Sequence, residues 1–213
     1  MSKHAQEKTN NPGEFKKEIL RPAAILTAIC LTVSVCLAVT NFLTEDTIAK
    51  RAKEDEENAM RALIAAETYE KADVNGEVTF TVAKNGGETV GYIVKSAANG
   101  YGGEVSVMTA IGTDAKIVGV NILDVTGETP GLGQNAAKES FFTQLIGLKD
   151  KVTVVKNGAK PENNEYNAVT GATITSTAVQ DAVNKALKAY KTYTEKATNE
   201  NAAQPENKES EVR

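Results

Sequence analysis

The sequence predicts an α+β protein in which one N-terminal transmembrane helix is followed by an extracytoplasmic domain of antiparallel β-hairpins with packed helices. Three stretches of the 213-residue chain carry that expectation. Pro22 to Leu43 holds no charged side chain, and as a helix it spans the ~30 Å hydrocarbon core of a membrane. Two strand–turn–strand patterns occupy the middle of the chain. Near the C-terminus, Val179, Ala182, Val183, Ala186, Leu187 and Tyr190 recur at the spacing of a helix with one buried face.

Residues 1–21 are polar, with Asn10, Asn11, Pro12 and Gly13 breaking any periodicity, so they are expected to be mostly disordered and to end in a helix entry. The apolar run 22–43 follows. A cleaved signal peptide competes with a retained anchor here. The run exceeds the usual apolar region of a signal and continues past the poor small-x-small site Cys36-Leu37-Ala38, which favours the anchor. Lys16, Lys17 and Arg21 precede the span, whereas Glu45 and Asp46 are the first charges after it. That bias places the N-terminus in the cytoplasm and residues 44–213 outside the inner membrane.

Residues 44–71 read as a stalk helix, with Glu45 and Asp46 in its first turn and Ile48, Met60, Leu63 and Ile64 as sparse apolar positions. The run Glu54-Asp55-Glu56-Glu57 is a solvated face rather than a metal site. The domain proper is expected over 72–194. Val78, Phe80 and Val82 alternate with polar residues, and Asn85-Gly86 turns the chain into a second strand from Thr89 to Lys95. A second hairpin joins Glu104–Ile111 to Lys116–Asp124 through Gly112-Thr113-Asp114. Antiparallel pairing is the natural assembly.

Two glycine-rich loops interrupt this pattern. Asn99-Gly100-Tyr101-Gly102-Gly103 is either a flexible linker or backbone brought close to a flat ligand with Tyr101 beside it. Gly127-Glu128-Thr129-Pro130-Gly131-Leu132-Gly133 specifies a tight loop with one projecting leucine. A short helix over Asn135–Ile146 should turn Phe141, Phe142, Leu145 and Ile146 inward and end at Gly147. Val152–Val155 is a strand, 156–165 a polar loop, and Tyr166–Val169 leads into Thr170-Gly171-Ala172-Thr173-Ile174-Thr175-Ser176. Those hydroxyls suit N-terminal capping of the last helix. The same features suit phosphate binding at a helix N-terminus. Residues 195–213 are rich in Asn, Glu, Lys and Ala and are expected to be a disordered tail.

Composition removes several functions. A net charge of −4, with 24 basic residues interleaved among 28 acids, argues against a nucleic-acid partner. The single histidine is His4, and the two cysteines, Cys30 and Cys36, sit in the apolar run. Zinc, haem and thiolate iron–sulfur sites, and Cys-His or Ser-His-Asp catalytic sets, have no ligands or bases to draw on. No metal site and no catalytic residue is assigned, and any redox cofactor is organic.

Two motifs name that cofactor by resemblance. Glu128-Thr129-Pro130-Gly131-Leu132-Gly133 and Thr170-Gly171-Ala172-Thr173-Ile174-Thr175 resemble, in the right order, the signatures of the flavin-binding domains in the G subunit of the Rnf complex and in the C subunit of the sodium-translocating NADH:quinone reductase. The resemblance spans the anchor through the last helix. One departure is Asp124-Val125-Thr126-Gly127, where many relatives carry a His or another large polar residue.

The resemblance implies FMN in phosphoester linkage to Thr175. It also implies contacts from Thr170, Gly171, Ala172, Thr173 and Ser176, from Glu128, Thr129, Gly131, Leu132 and Gly133, and from Tyr101. A flavin transferase that takes FAD and releases AMP is implied for maturation. The implied function is electron relay within a membrane complex that oxidises ferredoxin, reduces NAD and moves Na⁺ or H⁺. Its partners there are integral-membrane, iron–sulfur and flavin subunits. The alternatives are the C subunit of the quinone reductase, a stand-alone flavin carrier and, from another class, a flavin-free anchored scaffold.

Overall fold

The computed structural model describes residues 12–202, apart from 75, 157, 159 and 160; the expectations for residues 1–11 and 203–213 lie outside it. The chain divides into two units, 1–54 and 55–213.

Helix α1 (Pro12–Leu63) supplies the first unit and enters the second. It begins earlier than the sequence suggests, so residues 12–21 are helical rather than irregular. Proline at the first helical position explains this, because its missing N–H has no intrahelical partner there and its φ is already helical. Every residue from Leu20 to Glu54 is exposed, and the most apolar window has a mean hydropathy of 2.3. The helix is long and apolar enough to cross a membrane. Thr32, Thr40 and Thr44 each donate their hydroxyl to the carbonyl four residues earlier at 2.8 Å, which satisfies these groups where water is absent.

In the second unit the end of α1 places Ala59, Met60 and Leu63, with Ile64, on Ile93, Met108 and Ala110 of a sheet. That contact is close. A Cβ on Gly91 would lie 2.7 Å from Ile64 Cδ1, and one on Gly119 would lie 2.7 Å from Leu63 Cδ2. The expected stalk helix to residue 71 stops at Leu63, and Thr68–Ala72 is instead strand β1. The Tyr69 hydroxyl donates to the Ile64 carbonyl at 2.7 Å and accepts the Ala66 N–H at 3.2 Å. Glu67 and its N–H engage the hairpin turn at Gly86 and Asn85, so tertiary partners end the helix.

Strands β1, β2 (Thr79–Asn85), β3 (Glu88–Asn99), β4 (Glu104–Ile111) and β5 (Ile117–Asp124) form one antiparallel meander in chain order. Both expected hairpins are present within it. The opposite face carries the main core, where Val94, Val105, Val107 and Ile111 meet Val179, Ala182, Val183 and Ala186 of helix α3 (Thr173–Ala202). The Ser96 hydroxyl fastens the two layers by donating to the Ala182 carbonyl at 2.8 Å.

Two further expectations change, and one expected strand finds its partner. The helix over 135–146 is a 3₁₀ turn (Gly133–Ala137), the short helix α2 (Glu139–Phe142) and a second 3₁₀ turn (Thr143–Leu145). The break falls at Lys138, whose backbone is extended; Phe141 and Leu145 face inward, but Ile146 is exposed. The strand expected at Val152–Val155 is present as β6 (Thr153–Val155) and pairs in parallel with β7 (Glu165–Asn167). Helix α3 sets this edge, because Gln180 accepts the Val154 N–H and Asn184 bonds both the N–H and the carbonyl of Val152. Finally, α3 continues to Ala202 rather than fraying near 194. Its Ala, Lys and Glu residues favour helix, and Tyr190 and Tyr193 pack on Tyr92 and Phe80.

Candidate functional site

Three loops converge at one end of the sheet: 100–103 between β3 and β4, 125–133 after β5, and 168–172 before α3. Glycine makes the convergence possible. A Cβ on Gly102 would collide with the Gly127 carbonyl, and one on Gly100 with the Glu128 carboxylate. The 129–135 segment is held by its own bonds, with Leu132 N–H to the Thr129 carbonyl at 3.1 Å and the Asn135 amide to the Gly131 carbonyl at 2.6 Å. Gly131 shapes it with φ +76°, and Gly171 turns the third loop at the same φ.

The loops enclose a cavity of about 500 Å³, within the range of cofactor pockets. Tyr101, Glu128, Thr129, Leu132 and Gly133 line one side; Gly171 to Thr175 line the other. Tyr101, Leu132 and Ile174 are 71%, 45% and 55% exposed, and such apolar faces suit a flat aromatic ligand. The sequence gives no sign of Ile174, since the variable position of a motif carries no signal in one chain.

At the floor of the cavity lies a buried pair. The Thr175 hydroxyl donates to Glu128 Oε2 at 2.6 Å, with Thr175 1% and Glu128 2% exposed. Glu128 Oε1 accepts the Gly102 N–H at 3.1 Å. Burial pushes the Glu128 carboxyl pKa up, but the Thr175 hydroxyl and the backbone N–H groups of Gly102, Tyr101 and Gly103 outweigh burial and hold it below the ordinary carboxylate range. The resemblance of its motif implies a ligand beside Glu128; that Glu128 faces Thr175 required the fold.

The hydroxyls of Thr175, Ser176 and Thr177 are engaged otherwise than in capping α3. Ser176 and Thr177 donate to the carbonyls of Ala172 and Thr173, and Ser176 Oγ also accepts the Val169 N–H at 2.9 Å. Buried Ser176 therefore fixes the loop rather than facing the cavity. Buried Tyr166 assists by donating to the Ser176 carbonyl at 3.1 Å. The first helical bond runs from Ser176 N–H to Ala172, so the N–H groups of residues 173–175 lack intrahelical partners. They begin the helix along the cavity wall. Thr170 lies apart, lining a neighbouring cavity of about 450 Å³ with Lys138 and Asn167.

Comparison with known proteins finds two family models, curated relatives and a solved structure to which the chain is similar. Residues 100–188 match the FMN-binding domain family, and residues 10–63 match the RnfG N-terminal region. The G subunit of the proton-translocating ferredoxin:NAD(+) oxidoreductase complex of Clostridium ljungdahlii is 35% identical over 171 residues, covering 79% of this chain and 90% of the relative. The G subunit of the Na(+)-translocating complex of Acetobacterium woodii is 33% identical, covering 82% and 92%. Among solved structures, the C subunit of the Na(+)-translocating NADH-quinone reductase of Parabacteroides distasonis aligns with a TM-score of 0.49 and 26% identity, over 57% of this chain and 67% of that one.

Proposed function

The chain belongs to the G-subunit family of ion-translocating Rnf oxidoreductase complexes, and from that premise we propose that it carries FMN in phosphoester linkage to Thr175 and relays electrons between neighbouring subunits. The observation that carries the reading is the Thr175 hydroxyl, set at the floor of a cavity with an apolar rim and flanked by the first turn of α3. When bound, FMN supplies one- and two-electron transfer chemistry.

The chain's own residues bind and orient. Tyr101, Leu132 and Ile174 offer faces for the ring. The N–H groups at the start of α3, which have no intrahelical acceptor, and the helix dipole favour the phosphate charge, by ~0.3–1 kcal/mol per interaction at an exposed site. The glycines let backbone approach the ligand. The proposed donors and acceptors are the iron–sulfur and flavin subunits of a ferredoxin:NAD oxidoreductase, with a flavin transferase loading the site from FAD. The basic flank Lys16, Lys17 and Arg21 supports a cytoplasmic N-terminus and an extracytoplasmic flavin domain.

In-gel fluorescence of the denatured full chain, co-expressed with a flavin transferase, tests the assignment. A fluorescent band in the parent that is absent in Thr175→Ala is the expected result. A dark parent beside a fluorescent control substrate of the same transferase would overturn it and leave a flavin-free anchored domain.

A further inference from the structure

The contact between Thr175 and Glu128 sets up a chemical step, and the inference drawn from it rests on attachment at Thr175. An aliphatic hydroxyl is a poor nucleophile until a base accepts its proton. Glu128 Oε2 stands at 2.6 Å from Thr175 Oγ1, inside the reach required of a general base. Its other oxygen is committed to Gly102 N–H, which fixes the carboxylate plane. Gly133 keeps the pair clear, since a Cβ there would lie 2.5 Å from Oε2 and 2.8 Å from Oγ1.

Glu128 is met by backbone of the 100–103 loop, by Gly133 and by Thr175. Among the described residues no lysine or arginine forms an ion pair with it, and the other titratable side chain lining the cavity is exposed Tyr101.

We propose that Glu128 is the general base of flavin attachment: Oε2 takes the proton of Thr175 as Oγ1 bonds to the FMN-side phosphorus of FAD, and retains it beside the finished phosphodiester. The Oγ–P bond forms, the bridging P–O bond to the AMP half breaks, and AMP leaves with that electron pair. No atom changes oxidation state. An ionised carboxylate suits this task although it is a weak base. In phosphoryl transfer charge is spread over the phosphoryl oxygens and little covalent help is needed, as with the aspartate that receives the hydroxyl proton in protein kinases.

Retention follows from electrostatics. Once Oγ1 is esterified it no longer donates to Oε2, and a second anion stands against a buried carboxylate. Both changes favour the protonated form.

The test follows the mass of the intact full chain during loading by purified transferase and FAD, across a pH series. Glu128→Gln should load roughly 10²-fold more slowly or worse, while Glu128→Asp retains part of the rate. The ratio of wild-type to Glu128→Gln rates, which cancels the transferase's own pH response, should shrink as pH falls through the Glu128 ionisation. A steric role independent of the carboxylate's charge would leave that ratio flat, and normalising each rate to the folded fraction at that pH removes the change in stability that Glu128 ionisation also brings.

Independently, the infrared difference between loaded and unloaded wild-type protein should show a new carboxylic-acid band that shifts on ¹³C-glutamate labelling. This measurement decides the matter if Glu128→Gln does not fold. Equal loading rates in a folded Glu128→Gln, or no such band in wild type, would overturn the base. Flavin mass on Thr173, or none in wild type, would overturn attachment at Thr175 itself and the base with it.

Discussion

At the scale of single residues, the buried Thr175–Glu128 pair makes substitutions here cost stability as well as cofactor. Thr175→Ala leaves Oε2 without its hydroxyl donor in a site shielded from water, an expected loss of about 1–3 kcal/mol. Thr175→Ser keeps the donor, and chemical denaturation of the flavin-free proteins should rank it near wild type. Gly133→Ala should be worse placed than its size suggests, because its Cβ would press on both members of the pair. Overpacking of that kind costs about 1–3 kcal/mol, so a lower melting temperature and a smaller flavin-bearing mass fraction are expected together.

The same pair predicts an acid response. The folded-state pKa of Glu128 is lowered, so its contribution is complete above the unfolded value of about 4.3 and is lost as pH falls through the folded value. The stability gap between flavin-free wild type and Glu128→Gln should therefore narrow in acid, and a gap independent of pH would contradict the assignment of the shift to Glu128.

At the scale of elements, legibility in the sequence followed the range of the determining contacts. The hairpins β2–β3 and β4–β5 are written locally, in alternating side chains and turn residues such as Asn85-Gly86, and they occur where expected. Strand β1 was hidden because Thr68–Ala72 has weak alternation; its place depends on pairing with β2 and on Tyr69 closing the end of α1. The parallel β6–β7 pair is similarly non-local, since Gln180 and Asn184 of α3 hold β6. In the site, the motif glycines and Thr175 were readable, but Ile174 and the meeting of Glu128 with Thr175 were not.

The C-terminal part of α3 shows the same dependence. Tyr193 stacks on Phe80 at 4.8 Å between ring centroids, and Tyr190 meets Tyr92 edge-on at 5.1 Å. Tyr193→Ala should cost about 0.5–1.5 kcal/mol from the lost ring pairing in addition to burial. Amide exchange along 191–199 should accelerate in the variant while the 173–186 turns over the sheet stay protected.

At the scale of the whole molecule, the boundary between the anchor and the flavin-binding unit lies within one helix. The apolar span and the domain motifs are separately legible, yet the sparse pattern of Ala59, Met60, Leu63 and Ile64 does not reveal that these residues cover the sheet face formed by Ile93, Met108 and Ala110. The second unit, beginning at Asp55, includes that cover. A chain of residues 55–213 should consequently fold as a soluble monomer and accept flavin without its anchor. A chain of residues 64–213 loses buried Ala59 and the partly buried Met60 and Leu63, the latter two each contributing less than the ~1.5–3 kcal/mol of a fully buried side chain, and leaves an apolar sheet face open to water. Light scattering and thermal melting of the two truncations make the comparison. Association or a clearly lower melting temperature for 64–213 is expected. Equal melting and monomeric behaviour would mean that the last two turns of α1 serve as a spacer rather than as part of the domain.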